Sequence, residues 1–213
     1  SRTLFPEMSR ISSAEGANDE IAELLRVSLA YTGLFIIPGL VGAAIVGDVV
    51  LTIYGSGFQT GYYILIILTF ARLLYGYQGQ FLTVLDGVNR PDLTFRINGV
   101  FVAVNLVLNI LLTWQYGWYG AAVATTVSAA LGMVFSYYYA NQIIGVTVPI
   151  DVIGKQLFAA GVMALGVYGG RLLIGDSLPL VSVLVIGGAG GYFSVLLAIS
   201  QVFRTSVGRN RSF

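Results

Sequence analysis

"VLDGVNRPDLTFRINGVFVAVNLVLNILLTWQYGWYGAAVATTVS", Val84–Ser128, joins a charged patch, an apolar run, an aromatic turn and a ladder of small residues. The run Ile97–Gln115 is long enough to cross a bilayer as a helix, which takes about 17–25 apolar residues. Yet it carries Asn98, Asn105 and Asn109, spaced seven and four apart. At 3.6 residues per turn the three share one face. A carboxamide facing lipid leaves hydrogen-bonding groups unpaired, which is costly. That face is therefore expected to look at protein or at water. Hydrogen bonding between helices and lining of a cavity are both open readings.

The rest of the chain has the same character. It is 56% hydrophobic and 10% charged over 213 residues. A soluble domain carries about 25% charged residues. The composition is that of an all-α integral membrane protein. Six apolar windows can span: Val27–Gly47, Gly61–Leu85, Ile97–Gln115, Trp118–Ala140, Gln156–Ile174 and Leu178–Phe203. There is no Cys and no His. Disulfides, Cys/His metal sites, thiol nucleophiles and histidine bases are thereby excluded. No carboxylate pair or nucleophile–base constellation stands out, so no enzyme activity, metal or cofactor is expected. The net charge is +1 and the basic residues form no run, so no nucleic-acid partner is expected.

The basic residues do segregate. Arg2, Arg10, Arg26, Arg90, Arg96, Lys155, Arg204, Arg209 and Arg211 all fall on one side of a six-span chain. Only Arg171 falls at the other. By the positive-inside rule both ends of this segment are cytoplasmic. The organisation expected is a cytoplasmic segment over 1–26, a six-helix transmembrane domain over 27–203 and a basic cytoplasmic tail over 204–213. Trp114, Tyr116, Trp118 and Tyr119 in the outer turn, and Tyr137–Tyr139 near the inner end of span four, match interfacial depth. Glu15, Asp19, Glu20 and Glu23 fit a short cytoplasmic helix leading into span one. Asp48–Thr60 reads as an apolar outer loop.

The helix faces carry the function-bearing residues. Span two holds Arg72, and a charge inside the membrane costs at least about 2.5 kcal/mol. Tyr75, Gly76, Gly79, Thr83 and Asp86 share its side of the helix, with Gln80 beside them; Leu74, Phe81 and Leu85 lie opposite. A cation beside water in a cavity suits an anionic ligand. A structural ion pair or carbonyl clamp and snorkelling are the plainer alternatives. Span four carries Gly120, Ala124, Ser128 and Gly132 at four-residue spacing, a row that lets another helix approach closely. Span six is expected to repeat the device with Gly187 and Gly191. Its "GGAGG" lacks the Lys and Ser/Thr of a phosphate loop. Pro38 and Gly39 in span one are hinge candidates, although Pro and Gly are common in membrane helices.

These stretches carry a resemblance. "LFPEMSR", Leu4–Arg10, and "IYGSGF", Ile53–Phe58, resemble segments after the eighth and ninth helices of polysaccharide flippases. Gly87 and Pro91 in the inner loop, the Asn-Leu-x-Leu-Asn of Asn105–Asn109, and the turn Tyr-Gly-x-x-Gly-Ala-Ala-x-Ala-Thr of Tyr116–Thr125 are similar, in that order, to the family's most recognisable part. The chain is similar to the multidrug/oligosaccharidyl-lipid/polysaccharide exporter superfamily over about residues 1–140. The resemblance implies that the six spans are helices nine to fourteen, the C-terminal lobe of a two-lobe transporter whose N-terminal lobe is missing here. It implies a plasma-membrane flippase that moves lipid-linked oligosaccharide to the outer leaflet by alternating access, for polysaccharide or glycoprotein biosynthesis. Its partners would be that substrate and membrane lipid. Arg72 is the position that fits the family's use of cavity cations for the carrier phosphate, and the last two helices could offer the isoprenoid tail a groove. Tyr75, Gln80, Asn98, Asn105 and Asn109 complete the candidate cavity residues, as natural sugar contacts. Two other functions compete. A cation-coupled multidrug exporter would favour acidic residues deep in the membrane, but Asp48, Asp86 and Asp176 sit near span ends. A non-transporting scaffold would not require Arg72.

Overall fold

A computed structural model of the chain describes residues 17–175 and 177–200. The "LFPEMSR" segment, Glu15, Asp176 and the basic tail lie outside the described residues. The described chain is helical: α1 Ala17–Leu51, α2 Tyr62–Gly87, α3 Pro91–Tyr116, α4 Trp118–Ile144, α5 Ile150–Ile174 and α6 Leu178–Ile199. Each of the six is long and apolar enough to cross a membrane. Two short 3₁₀ turns, Thr52–Tyr54 and Ser56–Gly61, connect α1 to α2.

Helix boundaries follow local chemistry. α1 is already helical at Ala17, well ahead of Val27, so Asp19, Glu20 and Glu23 ride on the spanning helix itself and not on a separate one. Acidic side chains in a first turn complement the helix dipole. Pro91 opens α3 at a first-turn position, where its missing N–H is no loss. The helix thus starts ahead of the apolar run at Ile97. α1 continues to Leu51, so Asp48 is helical and does not begin the outer loop. Gly117 alone separates α3 from α4, at φ 58° and ψ −136°, a conformation that only glycine enters without strain.

The described residues divide into two compact units. The first takes in α1 up to Gly33 and residues Ile67–Pro149. Its core gathers Ile21, Leu25 and Leu29 of α1, Phe81, Val84 and Leu85 of α2, Leu93 and Ile97 of α3, and Ala140 and Ile144 of α4. These come from the start of α1 and α3 and the end of α2 and α4, so the buried core of this unit sits toward one end of its helices. The expected small-residue row of α4 is buried at Gly120, Ala124, Ser128 and Gly132, and the four-residue repeat runs on through Ser136, Ala140 and Ile144. α3 packs along α4. At Gly120 a built methyl group would lie 1.9 Å from the Leu112 carbonyl oxygen, so the two backbones meet there.

The second unit takes in Leu34–Ile66 and the chain from Ile150, with α5 packed along α6. Here one sequence expectation is corrected. Gly187 and Gly191 meet nothing within 4 Å, whereas a methyl at Gly188 would lie 2.5 Å from Val167 Cγ2. Gly170 of α5 answers it, since a methyl there would run into Leu184 Cδ2. One residue turns a helix by about 100°, so a neighbouring glycine faces another way. At the end of α5 Arg171 is paired. Its Nη2 lies 2.6 Å from Asp48 Oδ2 and its Nη1 donates to Asp48 Oδ1 at 3.0 Å and to the Ile45 carbonyl. The two-pronged geometry satisfies both charges locally, which explains how one arginine can sit against the charge segregation of the chain.

Candidate functional site

The first unit contains an open cavity of about 470 Å³ against α2 and α4, with a few polar groups in a largely apolar wall. Leu68, Thr69, Ala71, Arg72, Tyr75 and Thr125 line it. The helical period places them there. Residues 68, 72 and 75 fall on one stripe of α2, while Phe81, Val84 and Leu85 turn the opposite side into the core. Among the described residues the ion pairs are Arg26–Glu23, Arg90–Asp92 and Arg171–Asp48. Arg72 takes part in none of them and is exposed within the described chain. The Thr125 hydroxyl donates to the Ala121 carbonyl at 2.9 Å, which leaves its oxygen facing as an acceptor.

The candidate residues do not all meet in that cavity. Arg72 and Tyr75 line it. Asn105 and Asn109 are half-buried on α3, and Asn109 Nδ2 donates to Asn105 Oδ1 at 3.2 Å. That bond runs within one helix, so it ties no helices together. Asn98 is exposed and Gln80 half-buried, and neither lines the cavity. Pro38 and Gly39 lie in the second unit and line a separate, apolar groove of about 450 Å³. Phe35, Met163, Val167 and Tyr192 are among its other walls.

Four contributors were not singled out by the sequence reading. Thr69 and Thr125 face Arg72; Thr125 closes the motif that runs from Tyr116. Phe101 packs edge-to-face on Tyr75, with ring centroids 5.5 Å apart and planes at 73°. It lies three residues after Asn98 and four before Asn105, on the asparagine stripe. That spacing was the available signal. Gln78 is buried, and its amide lies against α4 where a methyl at Gly132 would approach Nε2 to 2.5 Å. Gly132 is the space that admits this side chain.

No family model matches the chain. The probable flippase AglR of Haloferax volcanii is 32% identical over 214 residues, across 97% of this chain and 44% of AglR. This chain is homologous to AglR over nearly all of its own length. The probable low-salt glycan biosynthesis flippase Agl15 of the same organism is 30% identical to it over 174 residues, 81% of this chain and 37% of Agl15. The chain therefore spans less than half the length of these relatives. The lipid II flippase MurJ in its inward closed conformation superposes with a TM-score of 0.77. The match covers 96% of this chain and 43% of MurJ at 18% identity, and so establishes a shared membrane fold. The relatives are named as flippases and not as enzymes.

Proposed function

We propose that this chain is the C-terminal half, helices nine to fourteen, of a flippase for lipid-linked oligosaccharide. It would act by alternating access in the plasma membrane, with both ends of the segment in the cytoplasm, together with an N-terminal lobe. The observation that carries the reading is Arg72: a cation on a membrane helix, beside a cavity, outside every ion pair of the described residues. A carrier phosphate is the anion that such a group suits. In this reading Arg72, Tyr75 and the threonines of the first unit would meet the headgroup; taken by itself, the second unit has an apolar groove of the kind an isoprenoid tail needs. Carrying a charged sugar past lipid needs both environments, since the hydrocarbon core satisfies no polar group.

The function is tested in cells. Deleting the full-length gene should strip the glycan from the cell surface and leave glycan-charged carrier in the membrane. An unchanged surface glycan contradicts the reading. Topology is tested separately, since this segment has no native cysteine. A cysteine at Gln115 should react with an impermeant maleimide outside intact cells. One at Asn89 should react only after permeabilisation; the reverse order would invert the orientation.

A further inference from the structure

We propose that Phe101, with the Tyr75 ring packed at a steep angle against it, is a stacking platform for the sugar next to the carrier phosphate, and that Asn105 and Asn109 read its hydroxyls. The inference rests on the flippase reading above and assigns the headgroup end of the same site. Asn98, Phe101, Asn105 and Asn109 stand three, seven and eleven residues along one stripe of α3. Tyr75 belongs to the Arg72 cavity, and its ring meets Phe101. The aromatic pair thus joins the cationic face of α2 to the amide face of α3. Phe101 keeps part of its surface uncovered.

The chemistry fits a saccharide. One face of a pyranose ring is a set of C–H groups, slightly positive, and the face of an aromatic ring is negative. The ring's edge alternates hydroxyl donors and acceptors. The Asn109–Asn105 bond uses one N–H and one carbonyl oxygen. It leaves the Asn105 Nδ2 donors and the Asn109 Oδ1 acceptor uncommitted, a donor beside an acceptor. The internal bond fixes both amides, so a sugar meets them already oriented. A stack beside Arg72 would let the protein tell a glycosylated carrier from the bare carrier, which a phosphate contact alone cannot do.

The test uses full-length protein and two probes, a short polyprenyl phosphate bearing one hexose and the same polyprenyl phosphate without sugar. Phe101→Ala should weaken binding of the glycosylated probe by about tenfold and leave the bare probe unchanged. Phe101→Leu keeps apolar volume for folding and should lose the same discrimination, whereas Phe101→Trp should retain it. Arg72→Ala should weaken both probes. Equal losses on both probes in Phe101→Leu, or no loss on either, would overturn the platform. If Arg72→Ala changes neither probe while Phe101→Leu still discriminates, the phosphate site fails and the platform stands.

Discussion

Arg72→Ala in the full-length protein is expected to abolish surface glycan at normal protein levels, with Arg72→Lys restoring part of it. Hydrogen bonds to a charged group are worth about 1.5–3 kcal/mol, so losing them should cut substrate affinity about tenfold to a hundredfold. Lysine keeps the charge but not the planar fork, and meets a phosphate as a single point. The pattern separates the readings of Arg72. A residue that only snorkels to the interface, or only braces neighbouring helices, would change protein level before it changed glycan. Complementation of a deletion strain, with membrane protein quantified beside the glycan, makes the distinction. Full glycan in Arg72→Ala would remove the anion site from the account.

Gly120→Ala should be the most disruptive single methyl in the first unit. The added carbon would lie 1.9 Å from the Leu112 carbonyl oxygen and 2.8 Å from the Thr113 nitrogen, and both are backbone atoms. A backbone cannot rotate away as a side chain can, and only Gly117 separates the two helices, so the α3–α4 hairpin has to spread. Overpacking costs about 1–3 kcal/mol, occasionally more; the upper end is expected here. Gly99→Ala is the control in the same hairpin, since nothing lies within 4 Å of a methyl there. It should be neutral or stabilising by up to about 1 kcal/mol, the helix preference for alanine over glycine. Thermal unfolding of the purified full-length variants checks both. Equal midpoints for the two would mean that the helices do not meet at Gly120.

Much of this arrangement was legible in the sequence because a membrane simplifies the code. Six apolar runs gave six helices, since lipid leaves a chain few other ways to satisfy its backbone. The shared face of Arg72 and Tyr75 followed from the helical period, and so did the buried row of α4. The period tells which residues share a face. It does not tell which neighbour that face meets. Gly187 and Gly191 were therefore chosen where Gly188 makes the contact. Phe101 was passed over because a phenylalanine in an apolar run looks like lipid-facing surface until Tyr75 is found against it. The Asp48–Arg171 pair joins residues 123 apart, so no local pattern could announce it. The motifs from Asn105 to Thr125 carried the family resemblance; the identities to AglR and Agl15 put it on measured ground.

The central claim is that the full-length protein moves a lipid-linked glycan between leaflets, and a vesicle measurement tests it most directly. The purified protein is reconstituted with a glycan-bearing polyprenyl phosphate in both leaflets, and an impermeant glycosidase is added outside. Protein-free vesicles should protect the inner-leaflet share. Vesicles holding the protein should expose nearly all of it over time, and those holding Arg72→Ala should resemble the protein-free ones. An inner-leaflet share that stays protected in the presence of folded, correctly inserted protein would contradict the account.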